Sequence, residues 1–450
     1  MQPSISHIFK SYDIRGKVGS ELTPAVSKAV GQAFADWLPH EGAVAVGRDM
    51  RPDSGELADA LIAGLRQQGR AVIDIGEVTS DMIYYAVGHL ELAGGAMVTA
   101  SHNPGIYNGI KLCRDEARPV GLESGLAEVR DNALAGTFKT GAVVGDLSSQ
   151  DITEDWVQHV LSFVDEAKLK PLKIAVDAGN GMAGKIFPEL EPYVPWEVHE
   201  MYFELDGTFP NHEANPLKFE TLKDLMATIK QDSSYDGVAF DGDGDRAFLI
   251  DETGEVLTGG VMSAMLAEYF LSLEPGASII YDARNSRSVP KVVTEHGGKP
   301  VITKVGHANI KQVMRESNAP FGGEASGHFY FRDNWFADSG LIGAVIGLYV
   351  ATLSGKKLSE LRQQYTYYPT IPETNFTVED VEAALQRIQA AFQDLPQDTL
   401  DGLTITVDGS TWFNVRASNT EPVMRLNAEA GSQSQLDALV GKVTDLITTR

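Results

Sequence analysis

Three features are scarce in this chain of 450 residues: cysteine, basic charge and long apolar runs. The single cysteine, Cys113, has no second cysteine in the chain for a disulfide and cannot build a thiol-rich metal site. Lys and Arg number 37 against 62 Asp and Glu, and the formal net charge of −25 argues against a nucleic-acid partner. The longest apolar run, Leu341 to Leu353, is too short to cross a bilayer. It predicts a buried helix after the capping pair Asp338-Ser339, and we expect no membrane partner.

The beginning of the chain, MQPSISHIFK, lacks the apolar core of a signal peptide. Together with the single cysteine, this predicts a cytoplasmic protein in a reducing compartment, and we expect a monomer or a weak dimer. An anionic small molecule is still compatible with the acidic composition, provided that its pocket gathers Arg and Lys locally. The basic residues inside motifs are therefore candidates for binding.

The length predicts several domains, because one hydrophobic core rarely serves more than about 250–300 residues. Short apolar runs at positions 44–46, 174–176 and 279–281 each end in a polar turn and precede a helix-like segment. Such strand–turn–helix units are typical of α/β domains. We therefore predict the α/β class, with three similar mixed α/β domains.

The last part of the chain has a different character. It holds an amphipathic helix from Val378, two strands around Trp412 and Met424, and a final helix. This predicts a smaller α+β C-terminal domain. We place the four domains at residues 1–148, 149–254, 255–366 and 367–450.

The first motif with chemical content is Thr99-Ala100-Ser101-His102-Asn103-Pro104, which follows the apolar stretch Gly95 to Val98. Asn-Pro favours a turn, so Ser101 is predicted at a strand-to-loop corner, where a hydroxyl can be presented to a ligand. The motif is not a Gly-x-Ser-x-Gly elbow, which excludes an α/β-hydrolase. From this motif alone, a serine that only bonds its own turn is an equal alternative. Lys111 is a candidate base or charge partner, or else a solvated surface residue.

The second motif is Asp241-Gly242-Asp243-Gly244-Asp245-Arg246, which follows the apolar Val238-Ala239-Phe240. Three carboxylates at alternate positions can converge on one hard cation. A calcium EF-hand is a rival interpretation because Glu252 falls at its twelfth position, but Arg246 stands where that loop needs glycine, and both flanks resemble strands. A solvated acidic turn is another alternative. We predict a Mg²⁺ loop at a strand end, with Arg246 suited to hold a phosphate.

Two further motifs carry polar groups. In Gly323-Glu324-Ala325-Ser326-Gly327-His328, the carboxylate, hydroxyl and imidazole alternate, so on an extended backbone they share one face suited to sugar hydroxyls. Arg416-Ala417-Ser418-Asn419-Thr420-Glu421-Pro422 lies between two predicted strands and suits a phosphate cradle. Taken alone, the first of these motifs is explained better as a polar strand end, and an ordinary turn explains the second equally well.

Taken together and in this order, the motifs resemble those of the α-D-phosphohexomutases. The resemblance covers essentially the whole chain and includes further motifs: Tyr12-Asp13-Ile14-Arg15-Gly16, Gly47-Arg48-Asp49, Asp206-Gly207-Thr208-Phe209-Pro210-Asn211-His212 and Gly306-His307. Within the family, the chain is most similar to the phosphomannomutase/phosphoglucomutase branch. The phosphoglucosamine mutases are also similar, but typically have Ser-Gly-Thr where this chain has Ser418-Asn419-Thr420. Ala325 departs from the branch, which often has Met there.

The resemblance implies a fold of four domains around a central cleft and a role for each motif. Ser101 is the phosphoserine, and it binds one Mg²⁺ per chain with Asp241, Asp243 and Asp245. The residues implied around the transferring group are Arg15, His102, Lys111 and Arg246, with Lys111 a candidate general acid/base. Glu324 and Ser326 bind sugar hydroxyls, and His307 and His328 line the same pocket. Arg284 stands where the family often has Lys. The non-reacting phosphate is implied to lie against Arg416, Ser418, Asn419 and Thr420.

The implied activity is the interconversion of hexose 1-phosphate and hexose 6-phosphate, with hexose 1,6-bisphosphate as intermediate and activator. The metal and the motif-borne cations account for an acidic protein that handles a phosphoserine and a sugar phosphate. Three alternatives remain on the sequence alone: a phosphoglucosamine mutase, a metal-dependent sugar-phosphate phosphatase, and an inactive sugar-phosphate-binding protein. The products formed from a sugar phosphate distinguish a mutase from the last two.

Overall fold

The computed structural model describes residues 5–139, 143–417 and 423–449. The chain forms two compact units. The first contains Met1–Thr258 and Ser326–Ser359, and the second contains Gly259–Ala325 and Glu360–Arg450.

The first α/β domain lies in the first unit. Its strands are β1 (Ile14–Lys17), β2 (Val44–Arg48), β3 (Val72–Glu77), β4 (Gly94–Val98), β5 (Tyr107–Arg114), β6 (Arg118–Pro119) and β7 (Leu147–Ser149). Its helices are α1 (Pro24–Trp37), α2 (Ser54–Gln67), α3 (Ser80–His89) and α4 (Leu126–Ala135). The sheet runs β1-β5-β4-β2-β3-β7, with β6 beside β5. It is mixed, because β5 is antiparallel to β1 and β4, whereas β2, β3, β4 and β7 are parallel.

The second domain contains helices α5 (Thr153–Leu161), α6 (Ala183–Leu190) and α7 (Lys223–Gln231), and strands β8 (Leu172–Asp177), β9 (Trp196–Met201), β10 (Asp236–Phe240) and β11 (Ala247–Ile250). Its sheet order is β11-β10-β8-β9, with only the β10–β11 pair antiparallel. Strand β10 is buried from Gly237 to Phe240, which explains its apolar sequence. The Asp241–Arg246 loop joins this strand to β11.

The third domain begins with α8 (Gly259–Leu273), a largely buried helix. Strand β12 (Ser278–Asp282) lies between β13 (Lys299–Thr303) and β14 (Phe321–Gly323), and all three are parallel. Helices α9 (Ser288–Glu295) and α10 (His307–Ser317) connect these strands. The chain continues through the antiparallel pair β15 (Phe329–Phe331) and β16 (Ala337–Asp338) to α11 (Gly340–Ser354) and α12 (Leu358–Tyr365).

The buried helix predicted from the apolar run at 341–353 is confirmed as α11. Ser339 is its N-cap, and the Ser339 hydroxyl accepts a hydrogen bond of 3.1 Å from the amide of Ile342. Within the described residues no single helix is long and apolar enough to cross a membrane, and only α11 and α12 counted together across a bend pass that test.

The last domain is an antiparallel sheet with two helices. Its strands are β17 (Thr374–Thr377), β18 (Gln397–Asp398), β19 (Leu403–Thr406), β20 (Trp412–Ala417) and β21 (Val423–Glu429), in the order β17-β21-β20-β19-β18. Its helices are α13 (Val381–Ala391) and α14 (Gln433–Thr448). The predicted helix start at Val378 is wrong by three residues, because Asp380 caps α13 by accepting a 3.0 Å hydrogen bond from the amide of Ala383. The predicted series of three α/β domains and one smaller α+β domain is confirmed.

Candidate active site

Ser101 lies at the corner that the sequence predicts, three residues after β4 ends. Its side chain is only 2% exposed and its φ of 50° is in the left-handed region, which is uncommon for serine. Its Oγ donates a hydrogen bond of 2.8 Å to Oδ2 of Asp241. Nδ1 of His102 lies 3.1 Å from the same Oγ, and Nη2 of Arg246 donates to it at 3.3 Å. Charged groups therefore surround the Ser101 hydroxyl, and its role is not limited to stabilising its own turn.

A second arginine, Arg51, anchors the Ser101 loop by contacts with its backbone. Its Nη2 donates to the carbonyls of Ser101 and Asn103, at 2.8 and 2.6 Å, and its Nε lies 3.2 Å from Asp49. The sequence pointed to the Gly47-Arg48-Asp49 motif and missed Arg51. In the sequence, only the position of Arg51, two residues after Asp49, linked it to this motif. This residue holds the backbone on which the hydroxyl is presented.

The loop from Asp241 to Arg246 joins two antiparallel strands, which excludes the EF-hand alternative, since that motif joins two helices. Its glycines have structural reasons. A Cβ at Gly242 would lie 2.6 Å from the carbonyl oxygen of Ser101, so only glycine allows the two loops to approach this closely. Gly244 has a φ of 74°, which favours glycine.

The three aspartates of this loop are buried and their carboxylates converge. One oxygen from each of Asp241, Asp243 and Asp245 can be chosen so that all lie within 4.8 Å of one another. Oδ1 of Asp243 and Oδ1 of Asp245 are buried and have no hydrogen-bond partner among the described residues. Buried, unpaired carboxylate oxygens are energetically unfavourable unless a cation binds them, so this donor set fits a hard divalent metal.

The surroundings shift the pKa values of Asp241 and Asp243 in opposite directions. Burial raises the pKa of Asp241 to about 7, with Asp245 adding to the rise and Arg246 opposing it. Burial acts in the same direction on Asp243, but Lys111 overcomes it and lowers the pKa of that carboxyl. The Nζ of Lys111 lies 2.6 Å from both Asp243 and Asp245. Burial opposes the protonated form of Lys111, yet these two carboxylates raise its pKa well above the ordinary value.

Ser80, at the start of α3, belongs to the same cluster and was not predicted from the sequence. Its hydroxyl donates a hydrogen bond of 2.5 Å to Oδ2 of Asp243, and its amide donates one of 2.9 Å to the carbonyl of the same residue. The Nζ of Lys111 donates to the Ser80 hydroxyl at 3.3 Å. No sequence signal marks this contact, which joins residues 163 positions apart.

Arg15 and Arg246 bring positive charge to the Ser101 loop. Nη1 of Arg15 donates to the carbonyl of Ala100 at 2.8 Å and to Oδ1 of Asn103 at 2.7 Å. Nε of Arg246 donates to Asp241 at 3.0 Å, and its Nη2 contacts Nδ1 of His102. Burial lowers the pKa of His102 well below its ordinary value, and Arg246 and Arg15 lower it further, so the imidazole is neutral at pH 7.

His328 lies in the first unit beside the metal loop. Its Nδ1 is 2.8 Å from Oδ2 of Asp338 and 3.7 Å from Oδ1 of Asp245. Burial opposes protonation, but Asp245 and Asp338 together raise the pKa of His328. Ser326 belongs to the same unit. Asp338, interpreted from the sequence only as part of a helix cap, is a carboxylate partner of this imidazole.

The expectation of one extended strand through Glu324, Ser326 and His328 is wrong. Strand β14 ends at Gly323 and β15 begins at Phe329, with a turn between them. Gly327 has a φ of 84°, which an extended strand does not allow. The side chains therefore do not alternate along one pleated face.

In the second unit, Glu324 and Arg284 lie near the end of β12. Oε1 of Glu324 accepts a hydrogen bond of 2.8 Å from the amide of Gly306, next to His307 at the start of α10. Nη2 of Arg284 lies 3.1 Å from Oδ2 of Asp282. Burial raises the pKa of Asp282 to about 6, with Arg284 opposing the rise.

Arg416, near the end of β20, also lies in the second unit. Its Nη2 lies 3.4 Å from Oε2 of Glu373. The remaining predicted residues of this motif, Ser418, Asn419 and Thr420, lie outside the described residues. The structure thus brings Ser101, its cations and the three aspartates together in one unit, and Arg284, His307, Glu324 and Arg416 lie in the other.

Comparison with known proteins gives a consistent result. Four phosphoglucomutase/phosphomannomutase domain models match in chain order: alpha/beta/alpha domain I at residues 6–139, domain II at 154–254, domain III at 258–368 and the C-terminal domain at 373–446. The chain is 41% identical over 444 residues to the phosphohexose mutases of Xanthomonas campestris pv. campestris (strain B100), with 98% of each chain covered. It is 38% identical to the phosphomannomutase of Vibrio cholerae serotype O1, with 97% of each covered.

Among solved structures, the chain is similar to a phosphoglucomutase/phosphomannomutase family protein from Burkholderia thailandensis. The TM-score is 0.89 at 32% identity, with 99% of this chain and 98% of that chain covered. The matches span every domain, including both units and the loops that hold Ser101 and the three aspartates. The chain therefore belongs to the phosphoglucomutase/phosphomannomutase branch of the α-D-phosphohexomutase family and is a phosphohexomutase, an isomerase of sugar phosphates.

Proposed function

We propose that this phosphohexomutase works through a phosphoserine at Ser101 and a hexose 1,6-bisphosphate intermediate, which also serves as activator. The observation that carries the proposal is the Ser101 hydroxyl, buried at a strand end, with Asp241, Arg246 and His102 all within 3.3 Å of its oxygen. Such an arrangement orients a nucleophilic oxygen and supplies positive charge to a group attached to it.

We propose one Mg²⁺ per chain, held by Asp241, Asp243, Asp245 and the phosphorylated Ser101. The buried Oδ1 atoms of Asp243 and Asp245, which accept no hydrogen bond from the described residues, support this assignment. Hard oxygen ligands favour Mg²⁺ or Mn²⁺ over softer metals. When bound, the ion would neutralise charge on the phosphoryl oxygens.

We propose that the phosphoryl group is transferred in a single displacement step. A free hydroxyl of hexose 1- or 6-phosphate attacks the phosphorus, the new P–O bond forms, and the P–O bond to Ser101 breaks. The proton of the attacking hydroxyl passes to a base in the site, and the Ser101 oxygen regains a proton. Lys111 is the candidate general acid/base, and Arg15, His102 and Arg246 surround the transferring group. The reverse step, at the other end of the bisphosphate, restores the phosphoserine.

The rest of the substrate is assigned to the other motifs. We propose that Glu324 and Ser326 bind sugar hydroxyls, that His307 and His328 contribute to substrate binding, and that Arg284 assists them. The non-reacting phosphate is assigned to Arg416, Ser418, Asn419 and Thr420. We propose four domains at residues 1–148, 149–254, 255–366 and 367–450.

We further propose a cytoplasmic monomer or weak dimer, with a sugar phosphate as its small-molecule partner and neither nucleic acid nor membrane as a partner. The acidic composition and the single cysteine support this. The names of the relatives favour mannose and glucose phosphates over glucosamine phosphate.

The deciding experiment is a coupled assay with mannose 1-phosphate, glucose 1-phosphate and glucosamine 1-phosphate in parallel, with and without hexose 1,6-bisphosphate. We expect 6-phosphates of mannose and glucose, with activation by the bisphosphate. Turnover of glucosamine 1-phosphate alone would contradict the assigned substrates, and turnover indifferent to the bisphosphate would count against the intermediate.

A further inference from the structure

The 206–212 loop of the second domain is a sequence motif to which the proposed reaction assigns no role. Its residues are Asp206, Gly207, Thr208, Phe209, Pro210, Asn211 and His212. Within the first unit this loop packs against the Ser101 loop. A Cβ at Gly105 would lie 2.9 Å from the carbonyl oxygen of Gly207, and a Cβ at Gly207 would lie 2.5 Å from Cα of Arg51. Glycine at both positions therefore allows the two loops to approach through their backbones.

Phe209 lies where the 206–212 loop meets Arg51. The guanidinium carbon of Arg51 is 5.1 Å from the centroid of the Phe209 ring, which is a cation–π distance. Phe209 has a φ of 54°, a left-handed conformation that is uncommon for a bulky residue and is kept only where surrounding contacts hold it. Arg51 itself is buried, and its nitrogens donate at 2.6–3.2 Å to four backbone carbonyls, those of Ser101, Asn103, Pro104 and Tyr107. The ring thus covers one face of the cation that holds the Ser101 loop.

The Phe209 ring also lies beside the metal loop. A Cβ at Gly242 would lie 3.5 Å from Cζ of Phe209 and 2.6 Å from the carbonyl oxygen of Ser101. That carbonyl oxygen accepts the 2.8 Å hydrogen bond from Nη2 of Arg51. The Phe209 ring therefore contacts the point where the backbone of the Ser101 loop meets the backbone of the metal loop.

The second domain fixes the position of the 206–212 loop. The amide of Asp206 donates a hydrogen bond of 3.1 Å to the carbonyl of Asn180, and the side-chain amide of Asn211 donates one of 2.8 Å to Oδ1 of Asn180. Nε2 of His212 lies 3.0 Å from Oδ2 of Asp177, the last residue of β8. The loop is therefore attached to the domain that carries the metal loop, and Phe209 reaches from it to the Ser101 loop.

We propose that Phe209 is a positioning residue, which holds the Arg51 guanidinium in place and thereby sets the position of the Ser101 hydroxyl relative to the metal loop. This inference rests on the proposed role of Ser101 as the phosphoryl carrier. A phenyl ring has no group that transfers a proton or binds a metal, so its effect on the reaction passes through the loops that it contacts. A displacement of reacting groups by about 1 Å can slow a reaction about a hundredfold.

The first test measures the transfer step in a single turnover. Protein labelled with radioactive phosphate on Ser101 is mixed with saturating mannose 1-phosphate and Mg²⁺, and the loss of label from the protein is followed by rapid quench. Phe209→Leu keeps an apolar side chain and removes the aromatic face, whereas Phe209→Tyr retains the ring. We expect transfer to slow at least about tenfold in Phe209→Leu, and no more than about threefold in Phe209→Tyr.

The steady-state KM separates positioning from substrate binding, and thermal unfolding separates it from stability. We expect the KM of Phe209→Leu for mannose 1-phosphate to stay within about twofold of wild type, because the ring acts on the Ser101 loop and not on the bound sugar. Phe219→Leu, which replaces an exposed ring in the same domain, is the matched control and should transfer at the wild-type rate. A residue that only stabilises the fold would lower Tm and leave the transfer rate of the folded protein unchanged.

The outcomes separate this inference from the proposed function. A wild-type transfer rate in folded Phe209→Leu overturns the positioning role, and so does an equal loss of rate in Phe209→Leu and Phe209→Tyr. In both cases wild-type protein still transfers its label, and the proposed function stands. A wild-type protein that takes up no label on Ser101, or passes none to the sugar phosphate, contradicts the proposed function, and this inference falls with it. If Phe209→Leu does not fold, Phe209→Met decides by the same measurement.

The route through Arg51 has its own readout in a double-mutant cycle. Arg51→Lys keeps the charge and removes the planar fork that binds the loop carbonyls. If Phe209 acts through Arg51, Phe209→Leu should slow transfer at least about tenfold in the wild-type background and no more than about threefold in the Arg51→Lys background. If the Arg51→Lys protein does not fold, the comparison of Phe209→Leu with Phe209→Tyr decides alone. Losses that multiply fully in the double variant would show that the two residues act independently, and that result overturns the proposal.

Discussion

The Oγ atom of Ser101 donates a hydrogen bond of 2.8 Å to Oδ2 of Asp241, although the two residues are 140 positions apart in the chain. The contact joins the loop after β4 to the loop after β10, so the candidate nucleophile and the candidate metal ligands belong to different domains of one unit. Gly242 makes the approach possible, because any side chain there would collide with the Ser101 carbonyl. Three predictions concern this junction.

The first prediction concerns the hydroxyl itself. Ser101→Ala should lower kcat by about a thousandfold or more, because no other group replaces the phosphorylated oxygen. Calorimetry should still detect sugar-phosphate binding. Intact mass spectrometry of wild-type protein treated with hexose 1,6-bisphosphate should show one phosphate adduct on the peptide that contains Ser101.

Ser272→Ala, which removes an exposed hydroxyl in α8, is the matched control and should behave like wild type. Full activity in the Ser101 variant, or an adduct on another peptide, would reject Ser101 as the carrier.

The second prediction concerns the three carboxylates. Exhaustive chelation should abolish activity, and Mg²⁺ should restore it. Asp243→Asn should weaken divalent-metal binding by at least about tenfold, since a ligand oxygen loses its charge. Binding of Mn²⁺, followed by its electron paramagnetic resonance signal, measures this without any turnover.

Asp131→Asn, at an exposed position in α4, serves as the control for the loss of one carboxylate and should bind Mn²⁺ normally. Unaltered Mn²⁺ affinity in Asp243→Asn would remove that residue from the metal site.

Much of this arrangement was predictable because its signals are local. Apolar runs that end at polar turns marked β2, β8 and β12, and the Asp-Ser pair marked the cap of α11. The alternating aspartates marked their own loop because ligands two residues apart can converge on one ion. Each of these patterns depends on residues that lie within about ten positions of one another in the sequence.

What the sequence did not reveal depends on contacts between distant segments or on backbone conformation. Ser80 reaches Asp243, and Arg51 reaches the Ser101 loop, only after the chain has folded. The chain turns at Gly327 instead of continuing as the expected strand, because this glycine has a left-handed backbone conformation. The alternation of side-chain types in the sequence carries no information about φ. The contact of Glu373 with Arg416 was missed for the same reason as that of Ser80, since the two residues lie 43 positions apart.

The third prediction follows from the contact that the sequence missed. Ser80→Ala removes the 2.5 Å hydrogen bond to Oδ2 of Asp243 and leaves the backbone contact in place. Residues that orient a metal ligand typically change metal affinity about 10–100-fold. We therefore expect Mn²⁺ affinity to fall about tenfold and the Mg²⁺ concentration for half-maximal activity to rise in parallel.

Ser162→Ala removes an exposed hydroxyl that bonds a helix carbonyl, and should change neither quantity. An unchanged Mn²⁺ affinity in a folded Ser80 variant would mean that the hydroxyl only supports the start of α3.

The last prediction concerns stability and lies away from the metal loop, at the first residue of β10. Burial raises the pKa of Asp236 to about 7, with Glu252 and Asp251 adding to the rise and Lys357 opposing it. The folded-state pKa lies above the unfolded value of 3.8, so the folded protein binds this proton more tightly. Well below pH 3.8 the carboxyl is neutral in both states. As pH rises from about 4 to 7, the unfolded chain ionises freely and the folded state loses stability.

Asp236→Asn keeps the shape of the side chain and removes its ionisation. The gain in unfolding free energy over wild type should therefore be near zero at about pH 4 and greatest above about pH 7. The full shift corresponds to about 4 kcal/mol, and because Asp236 is only partly buried we expect about 1–3 kcal/mol. Thermal unfolding of wild type and variant between pH 5 and pH 8 measures this, with Asp232→Asn as a control at a nearby exposed carboxylate. The stability difference should widen with pH for Asp236→Asn alone. A difference that is constant across this range, or one that narrows as pH rises, would show that the Asp236 carboxyl is ionised in the folded protein throughout and carries no burial penalty.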